Sequence, residues 1–197
     1  MDSLMRDKIL QTAKGLFIQR GYHGLSMRAI AEQVGVSKAA LYYYFEDKQQ
    51  LFLAILEESL AQVENLINEI TAQGGSSQAR IELFVFRILG QPADQRAVIR
   101  LASQELAQLD AAARKAFEVE YQTRFLGKIS HIFDEGIQAG ELRPLDSNSM
   151  TWALLGMLYP YFYTANNLEL PQDEAISGQL VTIFFDGVSL SQVFHNP

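Results

Sequence analysis

The sequence predicts an all-α fold. An N-terminal three-helix helix-turn-helix domain is followed by a C-terminal helical domain, about nine helices in all. Three observations carry this expectation. Apolar residues recur at helical spacing along most of the chain, and strand-like alternation is scarce. Only five Pro and 13 Gly interrupt the pattern. Two short helical patterns between residues 26 and 45 flank a turn of about four residues, so that the second helix can enter a DNA major groove.

The elements follow in order. The first helix runs roughly from Ser3 to Arg20, with Ser3 or Asp2 as cap and Leu4, Ile9, Ala13, Leu16 and Phe17 as its apolar stripe. Gly21 ends it. A short helix opens at Ser26 and breaks at Gly35, and Ser37 opens another that ends near Phe45. From Lys48 to about Ala72 the spacing of Phe52, Ile55, Leu56, Leu60, Val63, Leu66, Ile67 and Ile70 predicts a long amphipathic helix. The loop Gly74-Gly75-Ser76-Ser77 follows it. Three more helices are expected over 77–89, 94–109 and 111–139, the last capped by Gly140 with Pro144 shortly after. Two strongly apolar segments, 147–165 and 172–194, complete the chain. The expected division is a DNA-binding domain over 1–47 and a ligand-binding and dimerisation domain over 48–197.

Composition narrows the function. The chain has 197 residues and no cysteine. That length can bury a substantial core, and the missing thiols exclude a disulfide scaffold, a thiolate zinc site and a cysteine nucleophile. No run of about 18 apolar residues predicts a membrane helix. The N-terminus mixes charge signs and leads into no apolar stretch. A cytoplasmic protein with no membrane partner is therefore expected. The net charge of −7 is unevenly spread. Residues 1–50 hold seven basic and five acidic groups, a net of +2, and the remainder carries −9. Such a split points to two jobs in one chain.

Residues 21–53 read GYHGLSMRAIAEQVGVSKAALYYYFEDKQQLFL. Ser26 and Ser37 suit N-caps, and the amides that Ser26 leaves exposed suit a phosphate. Ile30, Val34, Val36, Leu41 and Phe45 are spaced to bury between the two helices. Lys38, Ala39, Ala40, Tyr42, Tyr43 and Tyr44 share the outer faces of the second, although one of the three tyrosines should pack inward. Small Ala39 and Ala40 permit close approach to base edges, and Arg28 joins them there. Lys38, Tyr42 and Tyr43 can bond phosphates. Lys48 opens a helix, where its charge opposes the helix dipole, and a phosphate neighbour would explain it.

These residues resemble the TetR family of transcriptional regulators. The resemblance lies in Gly21-Tyr22, Ser26-Met27-Arg28-Ala29-Ile30-Ala31, Gly35-Val36-Ser37-Lys38, Leu41-Tyr42-Tyr43-Tyr44-Phe45 and Lys48-Gln49-Gln50-Leu51. It is close over about the first 50 residues and looser beyond, where the string Gly140–Pro144 also fits. One departure is Ala39-Ala40 in place of the more usual Gly-Thr or Gly-Ser pair, which removes a hydroxyl contact at position 40. The resemblance implies an all-α homodimer that binds a palindromic double-stranded operator, most often as a repressor, and is released by a small-molecule effector.

In the body, Glu105 lies within the stripe Val98, Leu101, Ala102, Leu109 and needs a partner: Arg87, Arg124 or a ligand. The aromatic cluster that includes Phe84, Tyr121, Phe125, Trp152, Tyr159 and Tyr163 is part core and part candidate pocket. With a body charge of −9, an apolar or aromatic effector, or a cation held over aromatic faces, is expected rather than a polyanion such as an acyl-CoA. Ile176, Leu180, Ile183, Phe184, Gly187 and Val188 recur at helical spacing on the final helix and form the candidate dimer interface, paired with the helix around 152–163. His131 and Glu135 are four residues apart and read as a solvated pair rather than a metal site. No G-x-S-x-G, P-loop or G-x-G-x-x-G is present. No cofactor is expected, and a helical enzyme or ligand carrier that keeps the fold is the alternative reading.

Overall fold

The computed structural model describes residues 2–163 and 174–188. The join at 166–171 and the tail with His195 lie outside the described residues, as do the side chains of Tyr163, Gly187 and Val188.

The order is α1 (Asp2–Arg20), α2 (Met27–Val34), α3 (Lys38–Tyr44), α4 (Lys48–Gln73), α5 (Ser77–Leu89) and α6 (Ala93–Glu105), then a 3-10 turn over Leu106–Gln108. After these come α7 (Ala111–Tyr121), a π-helical segment (Gln122–Leu126), α8 (Gly127–Gln138), α9 (Ser147–Tyr163) and α10 (Glu174–Val188). Since α7, the π segment and α8 run on without a break, the described chain has nine helical rods and no strand. The all-α expectation and its helix count are both met. The helix expected over 94–109 ends early, at Glu105, and tightens into the 3-10 turn.

The chain forms two compact units. The first comprises Met1–Ala61 and Ala93–Val119. Its core holds Ile9, Ala13 and Phe17 of α1, Ile30 and Val34 of α2, Leu41 and Phe45 around α3, and Leu51, Phe52 and Ile55 of α4. The Phe17 and Phe52 rings meet edge to face at 5.2 Å. Helix α6 packs on α1 and contributes Ala97, Val98 and Leu101 to this core. Leu4 departs from the expected stripe: it is 73% exposed, and burial along α1 begins at Ile9.

The second unit comprises Gln62–Pro92 and Glu120–Pro197. Here α5 packs on α8 and α10, and α8 packs on α9. The seam between α5 and α8 is close because of Gly136. A Cβ there would lie 2.5 Å from Cβ of Ser77 and 2.8 Å from Cδ1 of Leu142. The same seam satisfies Ser77, whose hydroxyl donates to the Ile132 carbonyl at 2.9 Å and whose N–H donates to Glu141 at 2.7 Å. Among the described residues no helix is long and apolar enough to cross a membrane.

Candidate nucleic-acid interface and effector site

The reading head is built from local chemistry. The Ser26 and Ser37 hydroxyls accept from the N–H groups of Ala29 and Ala40 at 3.2 and 3.0 Å, which caps α2 and α3. Gly35, at φ 80°, makes the left-handed residue that ends α2, and its N–H and that of Val36 both reach the Ala31 carbonyl. Any residue with a Cβ would be strained there. Leu41 and Phe45 are buried, Val36 is half-buried, and Lys38, Ala39, Tyr42 and Tyr43 are exposed, with Ala40 at the edge. None of the three tyrosines is fully buried: Tyr44, the one closest to that, is half-buried and meets the Tyr43 ring edge to face at 5.1 Å. Lys38 lies 5.5 Å from the Tyr42 ring centre.

Two predicted contact residues have partners of their own. Arg28 Nε donates to Glu32 at 2.9 Å along the exposed face of α2. Lys48 is half-buried, and its ammonium donates to the carbonyls of Tyr22 and Leu25 at 2.9 and 3.0 Å. It also sits 4.1 Å from the Tyr22 ring centre. Two of its three donors therefore hold the loop between α1 and α2. These carbonyls give a cation at the start of α4 partners within the chain itself. The Tyr22 hydroxyl is held above its ordinary pKa by burial and, secondarily, by the charge of Asp47.

The same loop is fastened by residues from much later in the chain. His23 Nε2 lies 2.6 Å from the Gln108 side-chain oxygen. Glu105 stands against Gly21: a Cβ on that glycine would meet its carboxylate oxygen at 2.9 Å. Glu105 therefore belongs to the first unit. Its expected partner Arg124 instead donates to Glu64 at 2.6 Å, with Glu120 at 3.6 Å. Sequence reasoning missed a further clasp. The Gln49 side chain donates to Asp110 Oδ2 at 2.5 Å and accepts from the Asp110 N–H at 2.8 Å. Asp110 also caps α7 through the N–H groups of Ala112 and Ala113. These bonds, that from Ala113 first, hold its carboxyl below the ordinary value.

In the second unit the aromatic set divides. Phe84 and Phe125 are buried, with ring centres 6.2 Å apart, and Tyr121 lies 5.2 Å from Phe125. Burial, with the nearby Tyr159 hydroxyl, pushes the Tyr121 phenol up to about 12. Trp152 and Tyr159, on α9, are 58% and 43% exposed, and Tyr159 still brings its hydroxyl near Tyr121. The π segment begins directly after Tyr121, where the Gly127 N–H reaches back five residues to the Gln122 carbonyl. Such segments often occur at functional sites. Pro160 lies inside α9 and has no N–H to give the Gly156 carbonyl.

The candidate interface on α10 also divides. Ile183 is 64% exposed, and Ile176 and Leu180 are half-buried. Phe184 is buried against Phe133 and Phe185, at 5.6 and 5.3 Å between ring centres. It is therefore a core residue of the second unit rather than an exposed interface side chain. His131 and Glu135 form the expected surface pair at 3.6 Å, and Glu135 also accepts from Arg80 at 2.5 Å.

Comparison with known proteins agrees with this layout. Residues 9–55 match the model of bacterial regulatory proteins of the tetR family, and residues 74–160 match that of the tetracyclin repressor-like C-terminal domain. The transcriptional repressor AcnR of Corynebacterium diphtheriae is 37% identical over 67 residues, which are 34% of this chain and 35% of that protein. This match therefore spans about a third of either length. The fatty acid metabolism regulator protein of Bacillus subtilis is 21% identical over 175 residues, 82% of this chain and 90% of that one. AibR, solved in complex with isovaleryl coenzyme A and operator DNA, superposes with a TM-score of 0.76 at 25% identity, over 91% of this chain and 97% of that one. The first model covers the capped reading helices and the second covers the body from the loop before α5 into α9, so the chain belongs to the TetR family of bacterial regulatory proteins.

Proposed function

We propose that this DNA-binding regulator represses transcription from a palindromic operator as a homodimer and is released when a small molecule binds its helical body. The carrying observation is α3. Two serine caps and the left-handed Gly35 present Lys38, Ala39, Tyr42 and Tyr43 on one exposed face. Small residues let that helix approach base edges, and the lysine and phenols suit phosphates. Residues 1–47 supply the reading head in this proposal, and 48–197 supply sensing and dimerisation.

Exposed Trp152 and Tyr159 on α9 and Ile183 on α10 support a two-helix contribution to a four-helix dimer seam. A two-fold axis there would set two heads on successive major-groove faces, about 34–36 Å apart. Phe84, Phe125 and Tyr121, beside the π segment, support an effector site for an apolar or aromatic molecule, or for a cation over aromatic faces. A second reading follows from AibR, whose complex holds isovaleryl coenzyme A. A short acyl group would suit the same aromatic residues, and its polyanionic carrier would need cations of the body.

The contacts of Glu105, Gln108 and Asp110 with Gly21, His23 and Gln49 brace the reading head within the first unit. Calorimetric titration of a candidate effector, with and without operator, tests the scheme. Operator and effector must weaken each other by the same factor. Equal effector affinities in both titrations would show that the molecule is no inducer.

A further inference from the structure

We propose that Arg6 of α1 is a phosphate contact of the reading head and serves the C-terminal end of α3, the place the sequence pattern gives to Lys48. The proposal rests on the operator-binding reading above. With seven residues at about 1.5 Å each, α3 is roughly as long as the major groove is wide, about 12 Å. Both of its ends therefore lie near a phosphate strand when it docks. The first residue of α3 is Lys38.

The far end has no such group of its own. After Tyr44 the chain reads Phe45, Glu46, Asp47, Lys48. Two of these are acids, and the helix C-terminus adds its own negative partial charge. Lys48 follows, but its ammonium is turned to Tyr22 and Leu25. A phosphate at this end needs a cation from another element.

Arg6 brings one. Its guanidinium carbon lies 5.4 Å from the centre of the Phe45 ring, the residue that closes α3. A contact with the ring face uses the charge of the guanidinium and no hydrogen-bond acceptor, so its fork of N–H donors, which matches phosphate oxygens, is not tied to another side chain. The side chain is exposed, and among the described residues no carboxylate forms an ion pair with it. Arg28, by contrast, is paired with Glu32. The ring fixes where the Arg6 charge stands and leaves it open to an outside anion.

The test is a salt titration on a duplex selected from random-sequence DNA by the wild-type protein. The logarithm of affinity falls with the logarithm of salt by about 0.9 per phosphate contact. Arg6→Gln should flatten this slope by about 0.9 per bound subunit, or about 1.8 for a dimer on two half-sites. The wild-type advantage over Arg6→Gln should then shrink about twelvefold between 50 and 200 mM salt. Arg6→Lys keeps the charge and should keep the slope. Lys48→Gln should bind more weakly at every salt concentration with the wild-type slope. Melting curves establish that each variant is folded. A wild-type slope for Arg6→Gln overturns the proposal, as does a flattened slope for Lys48→Gln alone. Failure of the wild-type protein to enrich any duplex refutes the operator reading beneath it.

Discussion

Replacing Lys48 by Gln should loosen the reading head from within. The wild-type ammonium makes two charge-assisted bonds, to Tyr22 and Leu25 at 2.9 and 3.0 Å, and lies 4.1 Å from the Tyr22 ring centre. Bonds to a charged donor contribute about 1.5–3 kcal/mol each where buried. Lys48 is only half-buried and the freed carbonyls can take water, so about 1 kcal/mol each is appropriate here. The ring contact adds about 0.5–1 kcal/mol. Against this, removing a cation from a helix N-terminus returns about 0.3–1 kcal/mol. The net loss is about 1.5–2.5 kcal/mol, a fall in melting temperature of about 3–10 °C for a chain of this size. The damage should be local: the amides of residues 21–26 should exchange faster, while those of α8 and α9 keep their protection. A melting temperature unchanged within about 1 °C, with unchanged exchange in this loop, would refute the positioning role.

Other outcomes follow from the second unit. Ile183→Glu should give folded monomers by sedimentation, because Ile183 is 64% exposed. Phe184→Glu should unfold the body, since it sets an unpaired carboxylate against Phe133 and Phe185. A dimeric Ile183→Glu protein would remove α10 from the interface. Gly136→Ala should destabilise by about 1–3 kcal/mol from the 2.5 Å clash with Ser77, less up to about 1 kcal/mol regained in helix propensity. An unchanged melting temperature would mean that the α5–α8 seam gives way. Hydrogen bonds from Arg124 and Arg80 hold the Glu64 and Glu135 carboxyls below their ordinary value of 4.5. Their stabilisation is therefore complete above about pH 4.5 and is lost as pH falls through the lowered values. Glu64→Gln should blunt this acid sensitivity in melting curves recorded from neutral pH downwards, and an unaltered acid profile would exclude the pair as its source.

The parts legible in the sequence are those decided by a few neighbouring residues. A serine three residues before the amide it caps, or a glycine at the one left-handed position of a tight turn, depends on local geometry alone. The expected boundaries of α2, α3 and α5 therefore agree with the structure to within a residue. The exposed row Lys38, Ala39, Tyr42 and Tyr43 follows from the helical period once Leu41 and Phe45 face inward. Local geometry does not reach the partners of Lys48, which lie 23 and 26 residues upstream. Nor does it reach Glu105, which is set against Gly21 from the far side of four intervening helices. On α10, periodicity could not separate Phe184 from Ile183. That helix is apolar on most sides, so the sequence settles that it is buried somewhere but not which flank meets α5 and which faces outward. The π segment after Tyr121 was equally invisible. A shift from four-residue to five-residue bonding is announced by no residue in Gln122–Leu126. Composition and spacing thus determined the helices, the caps and the reading face of this protein. Long-range packing alone decided which charges are left open at the surface and which hold the protein together.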